Sequence, residues 1–406
     1  MAIYLLATLD TKGPEAAFVR DRLRQLGHAV VVADTGCLGE PACHADIPHD
    51  EVFRAAGQTL ADLRHANDRG RAVSAAAEGA ARLCRATYDA GQLDGVLALG
   101  GSAGTTIGTT AMRALPIGVP KVMVSTLASG QVRPYVGDKD ILMLNSVVDI
   151  AGLNRISRPI LNEAAAAIAG MIQFRDSTKG DDKPLIAATM FGVTTPCVQH
   201  ARKILEAAGF EVLVFHATGN GGQAMESLIR EGLIAGVLDL TTTELADELV
   251  GGVLSAGPER LTAASQLGVP QVVSVGALDM VNFGPRESVP AKFAARKFHV
   301  HNPTVTLMRT TPSENAQLGA EIGRKVAAST GPAAILFPRR GVSAIDADGK
   351  PFDDPDSRTA LLEAIRGHRA GIELIELDQH INDEAFATAC AEKLLELMRL
   401  ASRGTR

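Results

Sequence analysis

The chain has 406 residues, of which 46% are hydrophobic, with 40 glycines and a formal net charge of −6 at pH 7. That length and hydrophobic share suit two or three domains with cores of their own and exclude a disordered chain. The mild acidity argues against nucleic-acid or anionic-membrane partners, and no apolar run approaches membrane-spanning length. Cys37, Cys43, Cys84, Cys197 and Cys390 are odd in number and form no CxxC pair. Free thiols in a reducing compartment are therefore expected, with neither a disulfide framework nor structural zinc. The chain opens directly on an apolar strand without a leader-like segment, so the expected location is the cytoplasm.

Short runs rich in Val, Ile and Leu alternate with helical stretches, the pattern of parallel sheets covered on both faces. Strands are predicted near 3–8, 29–33, 95–99, 120–125 and 141–147. The Ala-rich stretch 50–90 reads as two helices broken near Asn67-Asp68-Arg69-Gly70, and a further helix is predicted over 158–174. The polar run 175–184 has no apolar period and ends in proline, which reads as a linker between domains 1–178 and 184–406. Beyond it, strands are predicted near 185–190, 211–215, 236–240, 271–275, 304–308, 333–337 and 372–377. Thr311-Pro312-Ser313-Glu314 is a helix start of capping-box type, and an amphipathic helix over 383–401 ends the series.

The same landmarks occur twice, in the same order. Leu5-Leu6-Ala7-Thr8 is echoed by Ile186-Ala187-Ala188-Thr189, and Leu26-Gly27 by Ala208-Gly209. Asp94-Gly95-Val96-Leu97 is echoed by Ala235-Gly236-Val237-Leu238, and Gly118-Val119-Pro120 by Gly268-Val269-Pro270. The period is too long for a solenoid. The expected fold is α/β: two tandem Rossmann-like, doubly wound domains with mostly parallel sheets, related by internal duplication and facing a common cleft.

Ligands of open parallel sheets bind outside the carboxyl ends of the strands, so the residues that follow each strand carry the chemistry. Gly100-Gly101-Ser102-Ala103-Gly104-Thr105 combines a tight glycine turn with hydroxyls and a new helix start, the physics of a phosphate cradle. It is neither a Walker A loop nor a complete GxGxxG. Asp10, Thr11 and Lys12 end the first strand, where Asp10 or Thr11 can cap the next helix, face the crevice, or both. Ser125 and Thr126 follow the fourth strand. In the second copy, Gly219, Gly221 and Gly222 form another candidate cradle after His216. His216, Asp239, Glu244 and Asp279 stand at strand ends as candidate acid–base groups, while ligand spacing for a metal is lacking. His299 and His301 fall on one face of a possible edge strand, and Asp346-Ala347-Asp348-Gly349-Lys350 reads as a turn rather than a calcium loop.

Taken together, ATLDTKGPE (7–15), LGGSAGT (99–105), PKVMVSTLASG (120–130), SVVDIAGLN (146–154), MFGVTT (190–195), FHATGNGGQAME (215–226), LDLTTTELADELVGG (238–252), ALDMVNFGP (277–285) and TLMRTTPSEN (306–315) resemble the Tm-1-like ATP-binding family nearly end to end. The resemblance implies two Rossmann-like domains, ATP binding and a homodimer. It supplies no reaction. Placing the nucleotide on the 99–105 loop is a physical inference from that loop's chemistry.

The expected activity is ATP-dependent enzymology on a small metabolite in the cleft, with ATP held by the 99–105 loop, Asp10, Thr11 and Lys12, and with Mg²⁺ or Lys12 offsetting phosphate charge. In that reading His216 or Asp279 transfers a proton. The alternatives are a non-catalytic ATP-sensing module read by a partner protein and, on fold analogy alone, a sugar-phosphate or nucleotide-sugar enzyme.

Overall fold

The computed structural model describes residues 1–66, 68–175 and 183–404. The chain divides into two compact units, Met1–Thr178 and Lys179–Arg406. Most of the expected linker, residues 176–182, lies outside the described residues. Among the described residues no helix is long and apolar enough to cross a membrane.

The first unit runs β1 (Ala2–Ala7), α1 (Leu9–Gln25), β2 (Val30–Asp34), α2 (His49–Ala55), α3 (Leu60–Ala66), α4 (Arg69–Asp89), β3 (Leu93–Gly100), α5 (Ser102–Arg113), β4 (Lys121–Ser125), α6 (Arg133–Val136), β5 (Leu142–Asn145) and α7 (Ser157–Gln173). Its five strands are all parallel, in the order β2-β1-β3-β4-β5. Side chains of a strand alternate between faces, and β1 shows what that does here. Ile3, Leu5 and Ala7 pack in one core with Val19, Leu161 and Ile168 of α1 and α7. Tyr4 and Leu6 pack in another with Val52, Ala76 and Ile107 of α2, α4 and α5. Both faces are therefore covered, which is why the strands read as continuous apolar runs rather than alternating ones.

Three helices occupy the stretch expected to hold two. Gly57, at φ +73°, ends α2 in a conformation that disfavours other residues. The expected break before α4 is present: the Asp68 side chain caps that helix by accepting from Arg71 N at 3.0 Å. β5 is shorter than the expected 141–147 strand. Val147, at φ +62°, turns the chain directly after it.

The second unit runs β6 (Leu185–Met190), α8 (Thr195–Ala207), β7 (Glu211–His216), α9 (Asn220–Arg230), β8 (Ile234–Thr241), α10 (Thr243–Val250), α11 (Ala263–Leu267), β9 (Gln271–Gly276), β10 (Met280–Phe283), β11 (Phe298–Asn302), β12 (Val305–Arg309), α12 (Pro312–Ala327), β13 (Ala333–Pro338), α13 (Pro355–His368), β14 (Glu373–Leu377) and α14 (Glu384–Gly404). Six parallel strands are ordered β7-β6-β8-β9-β13-β14. Counting only the strands of each parallel sheet in chain order, both sheets place the second strand outermost, then the first, third, fourth and fifth. The duplication visible in the sequence is thus also a duplication of topology.

One predicted strand belongs elsewhere. Residues 304–308 fall on β12, the centre of a separate antiparallel sheet ordered β10-β12-β11. Asn302 Oδ1 accepts from Thr304 N at 2.9 Å and closes the hairpin between β11 and β12. A two-residue connection of this kind joins antiparallel strands and cannot supply a parallel crossover. β11 is the edge strand that carries His299 and His301. The capping box at the start of α12 is as expected: Thr311 Oγ1 accepts from Glu314 N at 3.2 Å, and Glu314 Oε2 accepts from Thr311 N at 2.8 Å.

Candidate functional site

In a sheet ordered 2-1-3-4-5, the crevice opens at the carboxyl ends of the first and third strands, where the connections diverge to opposite faces. The first unit has a cavity of about 230 Å³ at that point. Thr8, Asp10, Thr11 and Lys12 line it from the end of β1, and Thr35, Cys37 and Leu38 from the end of β2. Gly101, Ser102, Ala103, Gly104 and Ile107 line it from the start of α5, and Arg69, Ala72 and Val73 from α4. An adjoining cavity of about 330 Å³ shares Cys37, Leu38, Arg69 and Ala72. The two together fall in the size range of small-molecule sites.

The start of α5 is suited to an anion. Its N-cap is Gly101, which has no side chain to satisfy the first amides of the helix. Those amides and the helix dipole leave partial positive charge at the cavity wall. Lys12 and Arg69 add two cations that make no ion pair among the described residues.

The glycines of this loop differ in purpose. A Cβ on Gly100 would sit 2.7 Å from Gly104 Cα, and one on Gly104 would sit 3.1 Å from Leu99 O, so these two serve the turn itself. A Cβ on Gly101 would meet nothing closer than Thr126 Oγ1 at 3.7 Å. Internal packing does not require glycine there.

Other expected residues hold the frame. Thr105 and Ser125 are buried and bonded to each other at 2.7 Å, and Ser125 Oγ also accepts from Leu127 N at 2.9 Å. Thr126 stands behind Gly101 and does not line the cavity. Asp10 does not cap α1, and neither does Thr11. Asp10 Oδ2 instead accepts from Leu38 N at 2.8 Å and Gly39 N at 3.2 Å, which fixes the loop after β2 as a wall of the cavity. Arg64 clamps that loop from outside, donating to Cys37 O at 2.8 Å and Gly39 O at 3.3 Å. Sequence reasoning overlooked Thr35, Cys37, Leu38 and Arg69. Thr35 was findable as the residue after β2, whereas Arg69 sits on a helix remote in sequence from any strand end.

The corresponding crevice of the second unit is filled by the chain itself. Gly219, Gly221 and Gly222 do open α9, but Glu244 Oε1 already accepts from Gly219 N at 2.7 Å and from Gly222 N at 3.1 Å. A Cβ on Gly222 would overlap the Glu244 carboxylate, and one on Gly221 would overlap His216 O. These glycines admit internal groups, which corrects their reading as an open cradle. Arg260, wholly buried, donates to Glu244 Oε2 at 2.7 Å and to both oxygens of Asp239 at 2.5 and 2.7 Å. Thr189 Oγ1 also donates to Asp239, at 2.7 Å. Glu226 lies 3.5 Å from Arg260 and accepts from the amides of Leu261 and Ala263 at 2.6 and 2.8 Å. Burial pushes the Glu244 carboxyl up against the pull of Arg260. Although burial alone would lower Arg260, Asp239 and Glu244 hold it well above its ordinary value. Asp239 and Glu244 are therefore paired structural ions, not free acid–base groups. His216 is exposed at the rim, its ring 5.4 Å from that of Phe191.

The two units correspond to the two domains of one family. Residues 1–177 match the N-terminal domain, and residues 183–398 the C-terminal domain, of the uncharacterised protein family UPF0261. The chain belongs to the UPF0261 family. It is 50% identical over 398 residues to a UPF0261 protein of Clostridium tetani, covering 98% of each chain. It is 40% identical over 424 residues to the ToMV resistance protein Tm-1(GCR237) of Solanum lycopersicum, covering 97% of this chain but 55% of the tomato protein. A solved UDP-N-acetylglucosamine 2-epimerase from Rickettsia bellii aligns over 98% of this chain and 96% of its own at 10% identity. Its TM-score of 0.21 carries no argument.

The UPF0261 C-terminal domain holds a second buried carboxylate cluster, and Asp279 lies in it rather than with Asp239 and Glu244. Asp279 Oδ2 accepts from Ser343 Oγ at 2.8 Å. Asp346, in the 346–350 segment expected to be only a turn, is buried and accepts from Arg358 Nη1 at 2.6 Å. Burial and then the neighbouring Asp346 push Asp279 up to about 7, from an ordinary 3.8. Between those two values the native state holds a proton that the unfolded chain releases, so the contribution of Asp279 to stability falls as pH rises from about 4 to about 7 and is level above. Asp279→Asn removes this share of the slope, up to about 1.4 kcal/mol per pH unit, while its amide oxygen still accepts from Ser343. Urea unfolding across that pH range checks the expectation. An unchanged slope in the variant would refute it. Among the described residues no group of three or more His, Cys, Asp or Glu side chains is placed to hold a metal ion.

Proposed function

We propose that the N-terminal unit binds ATP, with its phosphates against the amides of residues 101–104 and beside Lys12 and Arg69. The apolar surface of Leu38, Ala72 and Val73 would take the base, and Mg²⁺ would arrive on the phosphates. The observation that carries this reading is the open cavity at the start of α5, whose N-cap is a glycine with no side chain to take the first amides. The sequence motifs that resemble the Tm-1-like ATP-binding family point the same way.

Of the four residues nominated for proton transfer, only His216 is exposed, while Asp239, Glu244 and Asp279 are buried and bonded within the protein. That favours a nucleotide-responsive module over an enzyme built on those carboxylates. An ATP-dependent turnover resting on these groups falls to His216 alone, and His216→Ala would abolish it without weakening ATP binding.

Calorimetric titration of the full chain with ATP–Mg²⁺ tests the reading. Lys12→Ala is expected to weaken binding about tenfold, or about 1.4 kcal/mol, through loss of a charge-assisted contact to phosphate. The deficit should shrink as salt screens the interaction. Absence of binding heat and of any ATP-dependent shift in thermal stability would sink the proposal.

A further inference from the structure

We infer that the UPF0261 C-terminal domain carries its own resident anion, the Glu244 carboxylate, in the crevice that the N-terminal domain leaves open, and that the chain therefore takes one nucleotide rather than two. The ATP half of this inference rests on the proposed function; the half concerning Glu244 stands on the second unit alone.

The two crevices correspond position by position. Leu5 pairs with Leu97 across β1 and β3, as Ala188 pairs with Leu238 across β6 and β8. The helices that follow are α5, with N-cap Gly101, and α10, with N-cap Thr242. The second helical residue is Ala103 in one and Glu244 in the other. Ala103 ends at its Cβ and leaves a cavity in front of it. Glu244 extends across that same space to the start of α9, where it takes the amides of Gly219 and Gly222.

A carboxylate held by two helix-terminal amides and a guanidinium is the arrangement that such sites offer to a phosphate oxygen. Here Arg260 supplies the guanidinium and is itself inaccessible to solvent. The glycines at 219 and 222 make room for this internal group. Duplication thus produced two anion crevices, and a single side chain of the right length closed one of them.

The test has two arms on the full-length protein. In the first, the thermal midpoint of Glu244→Ala is measured with and without inorganic phosphate at constant ionic strength, beside wild type and Glu244→Gln. Removing the carboxylate leaves the two amides and the Nε–H of Arg260 without their acceptor, while Asp239 keeps the other side of the guanidinium. Phosphate should then raise the midpoint of the alanine variant well beyond any rise seen in wild type, with Glu244→Gln between the two. Equal phosphate responses in all three proteins would overturn the inference; if the alanine variant does not fold, the glutamine variant against wild type decides it.

In the second arm, equilibrium dialysis counts ATP bound per chain for wild type and for Ala103→Glu, which copies the plug into the open crevice. One ATP per wild-type chain and at least a tenfold loss of affinity in Ala103→Glu support the inference. Two ATP per chain would overturn it. No ATP on wild type would defeat the nucleotide reading of the first unit, while the phosphate arm still decides the role of Glu244.

Discussion

Arg260→Met is expected to destabilise the second unit by about 3–5 kcal/mol, the cost of leaving a buried charge without its partner. Three carboxylates face this one guanidinium, and none has water as an alternative: Arg260 is 1% exposed, Asp239 and Glu244 are 0%, and Glu226 is 4%. Once the cation is gone, Asp239 and Glu244 can stay only by taking up protons or by opening the crevice to solvent. The loss should therefore be smaller in acid, where protonation relieves the uncompensated charge. Arg260→Lys keeps the charge but not the two-pronged contact to Asp239, and should lie between wild type and the methionine variant. The exposed pair Arg340–Asp378 offers the contrast, with side chains 64% and 72% accessible; Arg340→Ala there should leave stability unchanged. Chemical denaturation of each variant measures the difference. A loss below about 1 kcal/mol in Arg260→Met would show that the cluster is dispensable.

Gly101→Asp is expected to lower ATP affinity at least tenfold, or about 1.4 kcal/mol, while the protein remains folded. Folding and binding respond to this substitution for separate physical reasons. Folding survives because Gly101 has φ −81°, a value open to any residue, and because the nearest atom to an added Cβ is 3.7 Å away. Binding suffers because the new carboxylate sets a negative charge beside the amides where phosphate is proposed to approach. An aspartate at this N-cap also accepts bonds from the first amides of α5, taking the donors that the nucleotide would use. Gly104→Ala is the informative partner, since its Cβ would press on Leu99 O at 3.1 Å and should reduce stability as well as affinity. Circular dichroism and calorimetry on both variants separate the effects. Unchanged ATP affinity in a folded Gly101→Asp protein would show that the phosphates lie elsewhere.

Much of the fold was legible because its signals are local. Continuous apolar runs marked the buried parallel strands, and the Thr311–Glu314 box marked the start of α12. The repeated landmarks anticipated a shared strand order. Local signals misled in two places, once through a longer-range partner and once through a single turn residue. The 304–308 run is as apolar as its neighbours, but its antiparallel partners at 280–283 and 298–302 take it out of the main sheet. Residues 50–66 kept a helical period through Gly57, whose positive φ splits them into two helices.

The candidate site was legible in the same partial way. The strand-end rule located Lys12 and the 99–105 loop, which do line one cavity together. It placed Asp10 there too, but could not show that one of its carboxylate oxygens takes the loop amides of Leu38 and Gly39. Nor could it find Arg69, whose approach to the cavity depends on how α4 packs.

From its sequence alone, this protein is a duplicated α/β chain with a glycine-rich turn after its third strand, because periodicity and turn chemistry are written within a few neighbouring residues. Only the tertiary structure decided which of its two glycine crevices is open. That outcome depends on a carboxylate and a guanidinium brought in from α10 and from the loop before α11. Buried side chains from elements far apart in sequence leave no local pattern of what they will fill.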